Sequence, residues 1–419
     1  MTLPLRRNAR FQLLWIGSAA STLGSQTVQL AYPLLVLAVT NSPVQAGLVG
    51  AAQLVGMLMV AVPAGPLIDR WDRRRILVGC EAVRAAGVAS VAAAVLLDRV
   101  TVPHLMAVAW TLGGAGALFT PARLTAVRAV VPPDQLRPAL AQEEARGYAA
   151  ALAGPPLGGF LYGVARALPF VVDAVSYVVS LVCVLAARVP RRPAEATRAD
   201  GIAGQLAEGL RWMWARPFLR AVAGFSLAVN LATTALALPV IVLIVDRGGS
   251  STVVGVALAM MGAGGLVGTL VAARIGRMLP PGRLALAVGW LLAVLLPLTT
   301  LPLGPLWPGL VLATVMVVLP AANVSLQATM LAGIPDGLQG RIGSLLMLSS
   351  LGIAPVGSML GGYLTEKLGP VPSLGLLGLL LAAFSAVATV TPTLRAGAGP
   401  VSDSIGSANR LARTAAPAE

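Results

Sequence analysis

Six charged residues lie inside long apolar segments of this 419-residue chain. They are Glu81, Arg84, Glu143, Glu144, Arg146 and Asp173. A charge in apolar surroundings is costly, and a residue retained there is a candidate for carrying protons or ions. The chemistry to look for first is therefore reversible protonation of a buried carboxylate.

A proton carrier must change its protonation state during its working cycle. We expect Glu81 to form an ion pair with Arg84, three residues further along the same helix face, and so to stay ionised. The remaining candidates for proton coupling are Glu143, Glu144 and Asp173. Arg123 or Arg146 could neutralise one of the first two. For Asp173 the alternative is a structural acid that is hydrogen-bonded between helices.

The sequence offers no motif for a nucleotide or a metal cofactor. A phosphate-binding P-loop ends in Gly-Lys-Ser/Thr, whereas the only lysine, Lys367, follows Glu366. His104 is the only histidine, and no Cys/His cluster has metal-site spacing. We expect no cofactor, so any work this protein does would draw on an ion gradient, a substrate gradient or a separate partner.

Composition places these residues in a membrane protein. Hydrophobic residues make up 57% of the chain and charged residues 11%, against about 25% charged in a soluble domain. Twelve apolar runs are near the length that crosses a bilayer, at roughly 11–39, 44–68, 76–97, 103–129, 139–165, 168–187, 218–245, 252–273, 284–302, 306–332, 341–366 and 370–391. The sequence thus predicts an all-α membrane protein with twelve transmembrane helices in two six-helix bundles.

The distribution of basic residues orients these helices. Of the 30 Lys and Arg residues, 24 fall on the side of the N-terminus, 4 on the opposite side and 2 within spans. Because basic residues concentrate in cytoplasmic loops, both termini are predicted to be cytoplasmic. This bias explains the net charge of +14 without a nucleic-acid partner.

The longest polar break divides the chain near its middle. The predicted parts are a first bundle at 1–187, a cytoplasmic linker at 188–217, a second bundle at 218–395 and a disordered cytoplasmic tail at 396–419. An internal repeat at an offset of about 200 residues supports this division. Gly154-Pro155-x-x-Gly158-Gly159 corresponds in it to Pro355-Val356-Gly357 with Gly361-Gly362. Parallel repeats of this kind place a substrate site between the halves.

The charged turn Gly65–Arg75 carries a family signature. Its order, Gly-Pro-Leu-Ile-Asp-Arg-Trp-Asp-Arg-Arg-Arg, resembles the loop between helices 2 and 3 of the major facilitator superfamily of secondary transporters, with Asp72 where that family usually has Gly. The resemblance implies that Asp69 contacts the start of helix 11 and gates transport. The implied gating residues are Gly65, Asp69, Arg70, Arg73, Arg74, Gly340, Arg341 and Gly343. A solvated loop that only enforces topology is the alternative.

The motif Gly154-Pro155-x-x-Gly158-Gly159 resembles the core of the sequence that marks the antiporter branch of this family. The two more N-terminal glycines of that sequence fall on Ala141 and Ala150 here. Proline removes a backbone hydrogen bond and glycine lets a second helix approach, so we expect a kinked, tightly packed interface that can rock. Ordinary helix packing is the alternative.

Further residues resemble one branch and indicate a cavity. The runs Phe11–Trp15 and Pro169–Tyr177 resemble the branch that contains the enterobactin exporter and the macrolide efflux proteins. Helices 1, 4, 7 and 10 line the cavity in this family, which implies a lining of Gln26, Gln29, Tyr32, Phe119, Arg123, Asn230, Asn323 and Gln327. Few polar groups in an apolar wall suit a large amphipathic ligand, although each amide could instead join two helices.

The sequence therefore predicts a monomeric secondary transporter of the plasma membrane, with a small amphipathic substrate, protons and the lipid bilayer as its partners. It would export its substrate by alternating access and proton antiport. An importer or a lysophospholipid carrier of the same fold is the alternative. A membrane sensor or a membrane-embedded enzyme would need an effector domain or a catalytic constellation, and the sequence offers neither.

Replacing Asp69 with Asn should impair transport while leaving folding intact, because the change removes a gating contact and no packing group. Export rate and membrane abundance should be measured together. Full activity at normal abundance would assign Asp69 to topology alone.

Overall fold

The computed structural model describes residues 5–188, 211, 214, 217–333 and 339–390, and the ordered elements in these ranges are helical. The first half contains α1 (Ala9–Thr40), α2 (Pro43–Arg70), α3 (Arg73–Leu96), α4 (Val102–Val130), α5 (Leu136–Val164) and α6 (Leu168–Ala187). The second half contains α7 (Pro217–Ala235), α8 (Ala237–Asp246), α9 (Ser251–Met278), α10 (Pro281–Leu298), α11 (Trp307–Gly333), α12 (Gln339–Leu368) and α13 (Pro370–Val390). Short 3-10 turns at Leu5–Arg7 and Pro133–Gln135 precede α1 and α5.

Short polar side chains begin several of these helices. The Asn8 side chain accepts a hydrogen bond from the Phe11 N–H at 3.2 Å, and Asp72 accepts one from the Arg74 N–H at 2.9 Å. Such caps satisfy amide groups that have no partner within the helix. Asp72 stands where the resembling loop usually has Gly, and its role here is to begin α3.

Nine helical segments of the described chain are long and apolar enough to cross a membrane. α7 and α8 supply one of them together, Ala223–Asp246. The break between them falls before Pro239, which has no N–H to donate to the Ala235 carbonyl. α5 is not among the nine, because Gly, Pro and charged residues interrupt its apolar sequence. The all-helical membrane fold is confirmed, while the count of twelve spans stays a prediction.

Each half packs around its own set of helices. In the first half α1 packs on α5 and α6, α2 on α4, and α3 on α4 and α6. In the second half α9 and α10 pack on α11, α7 on α12, and α10 on α13. The halves meet where α2 packs on α12 and α5 on α9. These two pairs are the joints at which the halves could move against each other.

Glycine residues allow α2 and α4 to approach each other closely. A Cβ atom at Gly113 in α4 would lie 2.9 Å from the carbonyl carbon of Gln53 in α2. A Cβ atom at Gly56 in α2 would lie 2.8 Å from the carbonyl carbon of Trp110 in α4. The two backbones therefore touch, which any larger residue would prevent.

Gly113→Val should lower the free energy of unfolding by about 1–3 kcal/mol, the usual cost of overpacking a close contact. Thermal unfolding in detergent would measure the change. Gly79→Val is the matched control, because nothing lies within 4 Å of a Cβ atom at that position in α3. Equal stability of the two variants would contradict the assignment of α2 and α4 as a backbone contact.

Candidate functional site

The helices alternate in direction, so their connections fall at two opposite ends of the molecule. The turns after α1, α3 and α5 share one end, here called the distal face. α1 begins at the other end, here called the terminal face, where the turns after α2 and α4 also lie. The two joints between the halves lie toward the distal face.

The first joint brings the start of α2 against the end of α12. The Glu366 carboxylate accepts hydrogen bonds from the Ser42 hydroxyl and from the Val44 N–H, the latter at 3.0 Å. Ser42 also begins α2 by accepting a hydrogen bond from the Gln45 N–H at 3.3 Å. A carboxylate is favoured there because the free N–H groups give a helix N-terminus a partial positive charge. Glu366 thus completes a helix cap that belongs to the other half.

The same joint continues inward through small residues. The Ser358 hydroxyl donates to the Gly47 carbonyl at 3.0 Å, and a Cβ atom at Gly362 would lie 3.2 Å from the Gly47 Cα. The two helices are therefore in backbone contact across the boundary between the halves.

The second joint brings the end of α5 against the start of α9. The Ser251 hydroxyl donates to the Gly159 carbonyl at 2.8 Å. A Cβ atom at Gly255 would lie 2.9 Å from the Pro155 carbonyl carbon. Each joint thus combines a serine–carbonyl hydrogen bond with a glycine contact.

Three glycines of α5, here called the α5 triad (Gly154, Gly158 and Gly159), divide their contacts between the halves. Cβ atoms at the first two would collide with α1, at Gln26 and Thr27, and one at the third would collide with α9. α5 stays continuous through Pro155 and Pro156. The antiporter-type motif therefore lies at a packed interface within a continuous helix, while the kink and the rocking motion stay predictions.

The internal repeat places a second triad, Gly357, Gly361 and Gly362, on α12. The first two face α7 at Leu231 and Ala235, and the third faces α2 at Pro43 and Gly47. In both halves two glycines therefore contact the first helix of their own half, and the third contacts the other half. The internal repeat of the sequence therefore corresponds to equivalent helix contacts in the two halves.

The acids of α5 differ in their surroundings. Glu143 is buried and ion-paired with Arg123 of α4, and its carboxylate lies 3.1 Å from the Arg146 guanidinium. Glu144 is exposed. The expected neutralisation of one acid by Arg123 or Arg146 is confirmed, with both arginines on Glu143.

The expected ion pair between Glu81 and Arg84 is wrong. Among the ion pairs of the described residues, none joins these two side chains at 4.0 Å or less. Instead, Glu81 accepts a hydrogen bond from the Ser180 hydroxyl at 2.6 Å. The Arg84 guanidinium lies over the rings of Phe119 and Tyr177, 4.8 and 5.5 Å from their centroids. Aromatic faces compete for a guanidinium because their negative quadrupole attracts a cation.

Asp173 lies in the interior of the first half, with a side chain 1% exposed. It accepts a hydrogen bond from the Ser176 hydroxyl at 3.2 Å, within its own helix. Its second oxygen, Oδ2, has no hydrogen-bond partner. The hydrogen bond that does form is therefore local and does not join two helices.

The expected cavity residues fall into three groups. Gln29 and Asn323 are exposed, and Gln26, Arg123 and Asn230 are half-buried. Tyr32 and Phe119 are buried, with the Tyr32 ring edge-on to Phe170 at 5.3 Å. The amide of Asn230 donates to Ser226 of its own helix at 2.9 Å. Gln327 lies outside the side chains that the structure describes.

The expected gating residues are only partly described. The side chains of Asp69, Arg70 and Arg341 are not among those described, nor are the surroundings of Gly65, Gly340 and Gly343. Arg73 is half-buried, and Arg74 donates to the Leu185 carbonyl near the end of α6 at 3.1 Å. The sequence analysis missed the contact of Ser42 with Glu366, and the only local signal for it was a serine at a helix start.

Comparisons with known proteins identify the family of this chain. The chain matches the model of the Major Facilitator Superfamily over residues 14–356. It is 26% identical over 408 residues to the multidrug efflux pump Tap of Mycolicibacterium fortuitum, covering 92% of this chain and 97% of that protein. It is also 26% identical over 186 residues to macrolide efflux protein A of Streptococcus pyogenes, covering 43% and 45%.

A third relative is the enterobactin exporter EntS of Escherichia coli, 26% identical over 390 residues, with 88% of each chain covered. A bacterial homologue of the lysosomal transporter Spinster shares the fold, with a TM-score of 0.69 at 14% identity over 95% of this chain and 98% of that one. The family and branch indicated by the Gly65–Arg75 turn and by the runs near Phe11 and Asp173 are confirmed. The chain belongs to the major facilitator superfamily and is a multi-pass transporter of the plasma membrane, not an enzyme.

Proposed function

We propose that this protein exports amphipathic small molecules by alternating access, driven by proton antiport. The observation that carries the proposal is the pair of matching joints, in which each half places one glycine of a triad against the other half. Equivalent joints on both sides allow the halves to rock as two rigid bodies about a site between them. We take the structure as the state that is closed at the distal face.

The proposal includes the predicted topology. Twelve spans would place the terminal face and both termini in the cytoplasm, in agreement with the bias of basic residues toward that face. The distal joints would then close the outer side and leave the substrate site accessible from the cytoplasm. The two bundles would comprise 1–187 and 218–395, joined by the linker 188–217 and followed by the tail 396–419, in a monomer.

Export is supported over import by the relatives. Tap, macrolide efflux protein A and EntS are named for efflux or export. The half-buried amides Gln26 and Asn230 lie on the first helix of each half and would contact the substrate. Uncharged amides beside apolar walls favour a large ligand with few fixed polar groups.

Among the candidate proton carriers we favour Asp173. Glu143 contacts two guanidinium groups, which hold it in the charged form, and Glu144 is exposed. Asp173 is buried, faces no ion-pair partner within 4.0 Å among the described residues, and keeps one carboxylate oxygen free to take a proton. A proton bound there removes the cost of a buried charge.

Expression in a host that lacks its own drug pumps should lower the accumulation of one or more amphipathic compounds, and an uncoupler should abolish the effect. The physical reason is that the sequence has no nucleotide motif, and an ion gradient is the energy source that we propose. Accumulation of fluorescent amphipathic dyes would measure it, with Asp69→Asn as a low-activity comparison. Export that survives collapse of the gradient and follows ATP instead would overturn the coupling.

Glu366→Gln should raise the population that is open at the distal face by a few-fold, because the charged acceptor on the Ser42 cap is lost while the side-chain volume is kept. Distances between spin labels on the distal ends of α2 and α12 would report the two populations. Asp98→Asn is the matched control, since Asp98 is an exposed acid on the same face. An unchanged distance distribution in Glu366→Gln would show that this hydrogen bond does not hold the joint closed.

A further inference from the structure

A second group of charges lies inside the first half, apart from the joints. Glu81 and Arg84 of α3 and Asp173 of α6 have side chains 0%, 9% and 1% exposed. Burial of three ionisable side chains in one helical bundle is expensive unless each charge is compensated. The question is therefore how the charges of these three side chains are compensated, and whether one of the acids is protonated.

In each of the two acids, only one of the two carboxylate oxygens has a hydrogen-bond partner. One oxygen of Glu81 accepts from Ser180, and one oxygen of Asp173 accepts from Ser176. The second oxygens, Glu81 Oε2 and Asp173 Oδ2, are buried and have no hydrogen-bond partner. A protonated carboxyl group places no net charge in the interior, so each acid has a position at which one proton would be accepted at low cost.

Arg84 interacts electrostatically with both acids and forms an ion pair within 4.0 Å with neither. Its guanidinium rests on the rings of Phe119 and Tyr177, and its Nε has no partner. Tyr177 lies on α6 between Asp173 and Ser180, and its hydroxyl is 2.9 Å from that of Ser25 in α1. A cation held on aromatic faces can compensate a charge on either side without a fixed ion pair.

Two acids in this group face one guanidinium that is not ion-paired with another acid of the described residues. The other titratable groups that face the two acids are Tyr32 on α1, Cys80 on α3, Arg123 on α4 and Tyr177 on α6. The tyrosines and the thiol are neutral at ordinary pH, and Arg123 is already ion-paired with Glu143. Two carboxylates thus share one uncommitted guanidinium.

We propose that Glu81 and Asp173, which share Arg84 as a charged neighbour, form a single proton-binding site that holds one proton. The proton resides on one acid while Arg84 compensates the other, and the site is then neutral. This inference rests on the proposed proton antiport and adds Glu81 to it, an acid that the sequence analysis assigned to an ion pair.

The packing of α1 connects this site to the joint between α5 and α9. A Cβ atom at Gly24 would lie 2.9 Å from the Ser176 Cβ, so α1 is in direct contact with the helix of Asp173. Two and three residues further along, Gln26 and Thr27 contact the α5 triad. A change of charge at Asp173 would therefore act on the helix that packs against α5, which in turn contacts α9.

The test follows protonated carboxyl groups by infrared difference spectroscopy of the purified protein between alkaline and acidic pH, with no substrate present. The wild type should show the signal of one buried carboxyl group, and both Glu81→Gln and Asp173→Asn should lose it. Glu144→Gln, an exposed acid, should keep it. Retention of the signal in either Glu81→Gln or Asp173→Asn would overturn the shared site. Thermal unfolding of each variant verifies that the fold is intact.

A transport measurement separates this proposal from the proposed function. In proteoliposomes loaded with a dye that the wild type exports, both single variants should lose substrate-driven proton movement and keep dye exchange, which needs no net proton transfer. Glu144→Gln replaces an exposed acid outside this group and should keep coupled movement, which separates the effect of the two buried acids from a general effect of an amide substitution. Normal proton movement in Glu81→Gln would overturn the proposal. Absence of dye movement in the wild type would contradict export and leave the infrared result to decide the site.

Discussion

Direct contact between helix backbones at glycine is the constraint on which the rest of this structure depends. Inside a bilayer the hydrophobic effect does not press helices together, so close van der Waals packing must hold them. The α5 triad and its repeat on α12 place glycines where a single Cβ atom would collide with a neighbouring backbone. The glycines of each triad make contacts within their own half and with the other half. Both kinds of contact depend on the absence of a side chain.

On the proposed mechanism, the joints between the halves must open and close. They contain small residues and a few hydrogen bonds from Ser251, Ser358 and Ser42. Large apolar side chains also cross the boundary, since Leu30 and Leu34 of α1 belong to the core cluster of the second half and Leu238 of α8 belongs to that of the first. On the proposed mechanism, separating the halves would break these glycine contacts and hydrogen bonds and would rearrange the shared apolar contacts.

The buried charges of the first half are stabilised by polar and aromatic partners and not by glycine contacts. The charges there are spread over α3, α4, α5 and α6, and they are compensated by serines, aromatic faces and opposite charges. Glu143 meets two arginines, whereas Asp173 meets one serine of its own helix. Both acids lie in apolar segments of the sequence, but Glu143 contacts two guanidinium groups that favour its ionised form, whereas no ion pair of the described residues involves Asp173.

The sequence by itself determined the features that local composition controls. Apolar length gave the helices, the Gly65–Arg75 turn gave the family, and the spacing of Gly154, Gly158 and Gly159 gave a packed interface. It also indicated that Arg123 or Arg146 would meet an acid of α5, since charges confined to apolar segments have few possible partners.

Only the tertiary structure decided which partners meet. Arg84 is three residues from Glu81, and the sequence predicted an ion pair, but the rings of Phe119 and Tyr177 come from other helices and take the guanidinium. Glu366 and Ser42 are separated by most of the chain, and no local pattern joins them. Spacing along one helix specifies which residues share a face, whereas the residue opposite that face depends on how distant helices pack.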